Sequence, residues 1–459
     1  MTGAAGLARW AYWAVLLAGL ALMLRLNLPG HLSVDSVLAL REGRLHVRDT
    51  WNPAIYSWLL GVFDGLRPGT ALAVVASGLL LFGAWAAMAF LRPRTSWLAP
   101  ILAVGAIALP QVAIYPGIVW KDVWFAESAI AGFVVLALSL GSAVPAARWA
   151  GLALAALLLA AAGLLRQNGL ILAPAAALAI AWAAWPRGGR RALALAAVWL
   201  AAVAALTLAL SVAAKPQGMG PPDPAGAKGL RILETYDVVG AAAHGGLPLA
   251  RIDRVSPELD DQIRAAAPAD YSPERVDTLG GDPRLDRALG KVPGEVMRAE
   301  WLDLVLHHPE TYLAVRAEVF RWVFATPVID RCLPVHVGIA GPPAALADLK
   351  MQPRRSRDDI RLYNYVTWFL DTPAYSHVAY AAVALAVGLV LLWRREPADL
   401  AMAGLMAGAL GFTASFFVIS IACDYRYLYF LDMAAVTGVI YLALDPRLSR
   451  PKARRRAGR

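Results

Sequence analysis

Charged residues are scarce in this chain: they make up 17% of its 459 residues, whereas hydrophobic residues make up 59%. Soluble proteins usually contain about 25% charged residues. The composition therefore excludes an ordinary soluble multidomain protein. Together with a mean hydropathy of +0.54, it predicts an all-α protein that crosses a lipid bilayer many times.

Cysteine is nearly absent, and the patterns of several catalytic classes are missing. With two cysteines, Cys332 and Cys423, the chain is neither a disulfide-rich scaffold nor a cysteine-ligated zinc protein. His307 and His308 are adjacent, so they project in different directions from a helix, and no metal site is predicted for them. There is no Gly-rich phosphate loop, no Ser-His-Asp order and no internal repeat of the kind found in many secondary transporters.

Long apolar runs, by contrast, are abundant. Ten are long enough to span a bilayer: 10–28, 70–91, 97–115, 123–140, 149–164, 170–185, 193–213, 376–393, 400–421 and 427–444. The first has no small-residue cleavage site, which predicts an uncleaved anchor. The apolar stretch 53–66 is short for a span and predicts a helix in the membrane interface.

The distribution of basic residues predicts the orientation. Short cytoplasmic loops collect Lys and Arg. In this topology the inner side receives Arg9, Arg92, Arg94, Arg148, Arg187, Arg190, Arg191, Arg394, Arg395 and the basic tail. The net charge of +10 is thus explained by membrane orientation, and no nucleic-acid partner is expected. This orientation places loop 31–69 and the long segment 215–375 on the outer side of the membrane.

These spans divide the chain into four regions. Residues 1–214 form an N-terminal transmembrane module with catalytic outer loops, 215–375 a small, mostly helical periplasmic cap, 376–446 the last three membrane helices, and 447–459 a basic cytoplasmic tail.

Several local patterns predict the secondary structure of the cap. Its helical periodicity starts at 230–243. Ser256-Pro257 and Ser272-Pro273 are both typical of helix starts. Pro309 predicts a break between two amphipathic helices in 294–324.

Both cysteines lie on the outer side in this topology. An oxidising periplasm permits a Cys332–Cys423 bond. Two separate thiols remain the alternative, because the distance between them cannot be read from the sequence.

Four polar clusters fall at the outer ends of predicted membrane helices: Asp35, Lys121-Asp122, Arg166-Gln167-Asn168 and Asp424-Tyr425-Arg426-Tyr427. Each alone has an ordinary interpretation as a turn, a helix cap or an interfacial anchor. Together they provide carboxylates to accept a proton and cations to neutralise a departing phosphate. This combination suits transfer from a phosphate-linked lipid donor.

The order of these motifs, including Trp51-Asn52-Pro53 and Arg166-Gln167-Asn168-Gly169, resembles the GT-C superfamily of integral-membrane glycosyltransferases. The closer resemblance is to bacterial members that use polyprenyl-phosphate sugars, which are related to protein O-mannosyltransferases and lipid A aminoarabinose transferases. It implies an enzyme of the bacterial inner membrane whose active site faces the periplasm. The implied reaction is an inverting transfer, without a nucleotide sugar or other cofactor, to a periplasmic glycan, lipid or cell-envelope acceptor, with membrane lipids as further partners.

The resemblance also assigns roles to residues. It implies Asp35 as the general base, Asp122 as a second catalytic carboxylate, and the cations Lys121, Arg166 and Arg426 as ligands of the donor phosphate. The predicted substrate contacts are Asn52, Asn168, Asp424 and Tyr427.

The chain also departs from the family pattern. It has Asn52-Pro53 where relatives commonly have His-Pro or Lys-Pro, and a single Asp35 where several have Asp-Glu. No metal ligands are predicted, but a divalent ion between Asp35 and Asp122 stays open.

Two other functions are compatible with the same sequence. A transporter or flippase of lipid-linked saccharide precursors would place polar groups near the membrane midplane, whereas here they cluster at the helix ends. A polysaccharide polymerase or ligase would be expected to use outer-loop Arg and His pairs.

Overall fold

The structure, a computed structural model, describes residues 4–215, 225–245 and 247–447. Over these residues it is helical with isolated β-bridges and no β-sheet, which confirms the predicted all-α class. The helices before residue 215 are α1 (Ala4–Asn27), α2 (Val34–Leu45), α3 (Ala54–Leu66), α4 (Ala71–Met88), α5 (Leu98–Ala108), α6 (Pro110–Ala113), α7 (Lys121–Gly141), α8 (Pro145–Leu165), α9 (Leu172–Ala184) and α10 (Gly189–Ala213).

The next six helices are α11 (Ala225–Gly245), α12 (Ala250–Asp253), α13 (Pro257–Asp270), α14 (Pro283–Lys291), α15 (Gly294–His307) and α16 (Pro309–Ala325). They are followed by α17 (Pro343–Asp348), α18 (Arg357–Thr367), α19 (His377–Arg394), α20 (Pro397–Ile419) and α21 (Tyr429–Leu444).

Nine helical stretches in the described part of the chain are long and apolar enough to cross a membrane, and a tenth span is bent. The prediction of about ten spans is therefore confirmed. The predicted span 97–115 is bent, because α5 and α6 meet at an angle of 78°. Pro110 explains the bend: it has no N–H for the helix, and it keeps Leu109 extended, with φ −66° and ψ 142°.

The chain folds into two compact units. The first contains residues 1–218, 335–412 and 429–459, and the second contains 219–334 and 413–428. Residues 335–375, which follow the predicted cap helices, thus group with the membrane helices.

The second unit is built around α11 and a buried ion pair. Asp237 and Arg316 are both 0% exposed and lie 2.6 Å apart. Arg316 also donates to the carbonyl oxygens of Val418 and Ser420, which fastens residues 413–428 to α16. The Cys332–Cys423 disulfide makes a second link between the same parts of the chain.

The cap predictions had mixed outcomes. Helix α11 covers the predicted stretch 230–243, and α15 and α16 are separated at Pro309 as predicted. Helix α13 begins directly after Ser256. The helix start predicted at Ser272-Pro273 was wrong, since a turn leads there into a 3-10 helix at Val276–Gly280.

At one end of the first unit, residues assigned to cytoplasmic loops are paired in the interior. Arg92 forms ion pairs with Asp399 and Glu396, and its guanidinium also donates to the Tyr441 hydroxyl at 2.7 Å. Arg394 lies 3.2 Å from Asp399. These contacts hold together the ends of α4, α19 and α21 and the start of α20.

Candidate functional site

The candidate site lies in the first unit at the end of the helices opposite this charged network. Residues 30–32 join three parts of the chain there. The His31 N–H donates to the Gly117 carbonyl at 2.9 Å, and the Val119 N–H donates to the His31 carbonyl at 3.0 Å. On the other side, the Leu32 N–H donates to the Gly338 carbonyl at 2.8 Å. The loops before α2 and before α7 and the segment after residue 335 therefore share one backbone ladder.

The first turn of α2 carries Asp35 and is attached to the residues that precede Lys121-Asp122. The Ser36 hydroxyl donates to the Val119 carbonyl at 2.5 Å, and the Trp120 indole N–H donates to the Ser33 hydroxyl at 2.9 Å. Asp35 lies between these two serines and is half-exposed. The structure thus places the helix turn that carries the predicted base beside the start of α7.

A buried carboxylate and a buried amide hold the loop after α2. Glu42 is 2% exposed and accepts hydrogen bonds from the backbone N–H groups of Asp49 and Thr50 and from the Ser57 hydroxyl at 2.8 Å. The Asn52 side-chain amide donates to the Asp35 carbonyl at 3.2 Å. Asn52 therefore contacts the backbone of the predicted base and fixes the turn that carries it.

Asp122 and Arg166 form an ion pair, with side chains 2% and 12% exposed. Arg166 directly follows α8, and its guanidinium lies 5.9 Å from the centre of the Phe412 ring. Phe125, one turn into α7, stacks on Phe412 at 4.7 Å. A Cβ on Gly169 would lie 2.5 Å from the Phe125 ring, so the absence of a side chain there lets the α8–α9 connection approach α7.

The other predicted site residues fall into two groups. Lys121 is the first residue of α7 and Asn168 lies in a 3-10 turn, both half-buried. In the second unit, Asp424 and Arg426 pair at 3.0 Å, and Tyr427 stacks on Phe416 at 5.7 Å. The structure therefore joins Asp122 with Arg166, attaches the Asp35 turn beside Lys121, and groups Asp424, Arg426 and Tyr427 within the second unit.

His31 was missed by sequence analysis. Its imidazole is 1% exposed, accepts from the Gly338 N–H at 3.0 Å and lies 3.1 Å from the Asn27 side-chain oxygen. Burial lowers the pKa of His31 to about 4, and nearby Arg354 and His336 act in the same direction, whereas Asp359 opposes them. The neutral imidazole is therefore a structural part of the ladder beside the site.

Sequence analysis also gave no role to Ser33, Ser36, Glu42 and Tyr56. The Tyr56 hydroxyl donates to the Val119 carbonyl at 2.6 Å. Ser33 could have been recognised as a residue typical of the position before a helix. The others gave no signal, because their hydrogen bonds run to residues that are distant along the chain or lie in an irregular loop.

The acidic residues of the site are its possible metal ligands. Within the described ranges, no three His, Cys, Asp or Glu residues come together as a metal-binding group. The Asp122 carboxylate is already engaged by the Arg166 guanidinium, so Asp35 and Asp122 do not form an uncompensated pair of carboxylates.

No protein-family model matches this sequence, and no curated protein matches it. Among solved structures it is similar to the Archaeoglobus fulgidus oligosaccharyltransferase in complex with Zn and sulfate, with 14% identity and a TM-score of 0.42 over 94% of this chain and 48% of that chain. It is also similar to the same transferase in complex with an inhibitory peptide and a dolichol-phosphate, with 15% identity and a TM-score of 0.41 over 94% and 50% of the chains.

A further similar structure is ArnT from Cupriavidus metallidurans in the apo state, with 14% identity and a TM-score of 0.34 over 94% of this chain and 77% of that chain. The chain spans about half the length of the archaeal transferase. A likeness at these values does not define the donor, the acceptor or the reaction of this chain.

Proposed function

We propose that this chain is an inverting membrane glycosyltransferase of the GT-C type that transfers a sugar from a polyprenyl-phosphate donor to a periplasmic glycan, lipid or cell-envelope acceptor. The observation that carries the proposal is the arrangement at the start of α7. There Asp122, the residue after Lys121, forms an ion pair with Arg166. The α2 turn that carries Asp35 is hydrogen-bonded to the two residues that precede Lys121.

In the proposed reaction, Asp35 takes the proton from an acceptor hydroxyl as the hydroxyl oxygen attacks the anomeric carbon of the sugar. The bond between that carbon and the phosphate oxygen breaks, and the electron pair leaves on the phosphate. Attack from the face opposite the leaving group inverts the anomeric centre. Lys121, at the mouth of the site, neutralises the charge that develops on the phosphate.

The ion pair changes the role that we propose for Arg166. Because its guanidinium contacts the Asp122 carboxylate, Arg166 is a positioning residue for Asp122 as well as a candidate phosphate ligand. Asp122 in turn orients the acceptor hydroxyl or Asp35. The roles of Asn168, Asp424, Arg426 and Tyr427 stay predictions from the sequence, and Arg426→Ala measured beside Lys121→Ala tests one of them.

The test is a transfer assay in proteoliposomes with a panel of polyprenyl-phosphate sugars, in which donor and product are followed by mass spectrometry. Asp35→Asn removes the base and keeps the shape, so we expect transfer to fall by about 10²- to 10⁴-fold, while donor binding stays near wild type. Lys121→Ala is expected to weaken donor binding as well.

The matched control is Asp49→Asn, an exposed carboxylate in the same outer loop that pairs with Arg41. Wild-type transfer in both Asp35→Asn and Lys121→Ala would overturn the site. Intact donor that reaches the opposite leaflet, with or without Asp35, would make the chain a flippase of lipid-linked saccharides.

A further inference from the structure

A groove of 930 Å³ lies in the first unit between the end of α1, the bend between α5 and α6, and α18. Its shape depends on the bend. Ala108 ends α5, and its carbonyl accepts a hydrogen bond from the Tyr365 hydroxyl of α18 at 2.5 Å. The Gln111 side chain, just after Pro110, donates to the Ala374 carbonyl. The first bond links α18 to the end of α5, and the second links the start of α6 to the turn that follows α18.

The walls of the groove are apolar and exposed. Large hydrophobic side chains line it with exposed fractions of 51% for Leu22, 43% for Leu26 and 56% for Val104. All three lie on helices that the sequence predicts to span the bilayer. An acyl or isoprenoid chain is the chemistry that covers such a surface in a membrane.

The rim of the same groove is polar and carries more positive than negative side chains. Arg25, Arg354 and Arg361 line it together with Asp358 and Asp359. Both carboxylates are already engaged: Asp359 accepts from the Ser356 backbone N–H at 2.7 Å and lies 3.5 Å from Arg354, and Asp358 pairs with Arg361 at 3.0 Å.

Arg25 is different. It projects from the last turn of α1, is exposed, and has no hydrogen-bond or ion-pair partner among the described residues. An arginine beside apolar membrane walls is matched by an anionic group, and a phosphate suits its planar guanidinium.

We propose that this groove is a second lipid-binding site, which holds a lipid acceptor through a phosphate on its headgroup. The chain of the lipid lies along α1 and α5, and the phosphate is bound by Arg25 with Arg361. Lipid binding stands by itself, whereas the role of that lipid as acceptor rests on the glycosyltransferase function proposed above.

The groove and the candidate catalytic site share one short segment. On the groove side, Arg354 donates to the Gly30 carbonyl at 3.2 Å, and Asp359 lies 3.6 Å from the His31 imidazole. On the catalytic side, Val119 bonds to the backbone of His31 and to Ser36. A transferase that joins two lipid-borne substrates needs two such sites next to each other.

The binding test uses the full chain in phosphatidylcholine nanodiscs that contain a phosphatidic acid with a diazirine in its acyl tail. After photolysis, mass spectrometry maps the labelled peptides. In the wild type we expect labels on the peptides 22–28 and 104–108. In Arg25→Gln and in Arg361→Gln we expect the labelling yield to fall about fivefold, because each variant removes one cation. Arg94→Gln, an exposed arginine at the opposite end of the first unit, is the matched control and is expected to label like wild type.

Two further arms make the result decisive. Ala108→Trp fills the groove and is expected to abolish the label at both peptides, while the Ala108 backbone bond to Tyr365 is kept. A phosphatidylcholine that carries the same diazirine is expected to label these peptides weakly, because the choline cation neutralises its phosphate. Equal labelling by both lipids would overturn the site, and so would labelling that is unchanged in Arg25→Gln and Arg361→Gln. Either result would show that only bulk lipid contacts these peptides.

The acceptor role is tested by kinetics in the transfer assay. Arg25→Gln is expected to raise the KM for the lipid acceptor about fivefold and to leave the KM for the donor unchanged. Groove labelling with a raised donor KM would assign the groove to the donor chain instead and overturn the acceptor role. Groove labelling without any transfer in the wild type would refute the proposed function and leave the lipid site standing.

Discussion

At the scale of single residues, the most consequential contact is the ion pair between Asp122 and Arg166. A nearly buried carboxylate at the start of a membrane helix is costly unless a cation compensates it. The pair also joins α7 to the end of α8, so its charges serve both the chemistry and the packing. We therefore expect the two residues to depend on each other in stability as well as in activity.

A double-mutant cycle measures this dependence. We expect Arg166→Ala and Asp122→Asn each to lower the unfolding midpoint in detergent, and the double variant to lose less than the sum of the two. A coupling of about 1 to 3 kcal/mol is typical for residues in direct contact. Losses that simply add would show that the two side chains act independently and would contradict the ion pair.

His31 makes a second prediction at this scale, which concerns pH. The pKa of the folded imidazole is about 4, below the ordinary value of 6.5, chiefly because of burial. The unfolded chain therefore binds more protons between these values, so stability falls as the pH drops from about 6.5 towards 4. The total loss in the free energy of unfolding is about 3 kcal/mol, since one pKa unit corresponds to about 1.4 kcal/mol.

The measurement is the difference in unfolding midpoint between wild type and His31→Gln at a series of pH values. Gln keeps an acceptor for the Gly338 N–H but does not titrate, and the subtraction cancels titrating groups that do not interact with His31. We expect the advantage of the wild type to shrink as the pH falls below 6.5. A difference that stays constant down to pH 4 would refute the low pKa of His31.

At the scale of elements, the crossing of α2 and α3 positions the turn that carries Asp35. The helices touch through glycine: a Cβ on Gly61 would lie 2.4 Å from the Gly43 carbonyl oxygen, and a Cβ on Gly43 would lie 2.0 Å from the Ser57 carbonyl oxygen. Arg44 on α2 adds a two-pronged ion pair to Asp64 on α3, at 2.7 and 2.6 Å. This close contact leaves α2 no room to shift.

A substitution at the crossing should therefore lower activity although it does not touch the site itself. Gly61→Ala is expected to push α2 away from α3, to destabilise the chain by about 1 to 3 kcal/mol and to lower the rate of transfer. Gly65→Ala, one turn further along α3, meets nothing within 4 Å and is the matched control. Equal transfer rates and unfolding midpoints in the two variants would show that the crossing does not position the site.

The same two helices show the limits of sequence reasoning at this scale. Helix α3 was predicted because 53–66 is largely apolar but too short for a span. The sequence of helix α2 contains Asp35, Arg41, Glu42 and Arg44, so it lacks the apolar pattern from which the other helices are predicted. Its buried residues, including Val37 and Leu40, become a helical face only once Ser36 and Glu42 find partners elsewhere in the chain.

At the scale of the whole molecule, the second unit is assembled from two segments that are far apart in the chain. Residues 413–428 join 219–334 through the bonds of Arg316 and through the disulfide, whose cysteines are separated by 91 positions. Closing a loop of this length restricts the unfolded chain strongly. The disulfide should therefore contribute to the stability of this unit.

Reduction tests that contribution. For a loop of this size, the chain-entropy account predicts that reduction lowers the free energy of unfolding by about 4 to 5 kcal/mol. We therefore expect dithiothreitol to lower the unfolding midpoint and to speed proteolysis of the second unit. The double variant Cys332→Ser with Cys423→Ser should have the same unfolding midpoint as the reduced protein. That midpoint should not change when dithiothreitol is added. A midpoint that is the same with and without reductant in the wild type would contradict the prediction.

The sequence alone determined the class of this protein, the approximate number and positions of its membrane helices, and the division of the cap helices at Pro309. These features depend on the lengths and periods of local apolar runs, which can be read from neighbouring residues. The bend at Pro110 was within reach of the same reasoning, because a proline interrupts a helix wherever it stands in its interior.

Only the tertiary structure decided which polar groups meet. Asp122 pairs with Arg166 and Arg92 pairs with Asp399, although these partners come from different helices. Residues 335–375 return to the first unit, where they supply α18 and one wall of the groove beside α1 and α5. Such pairings depend on how whole helices pack, and the pattern of apolar residues within any one helix does not contain that information.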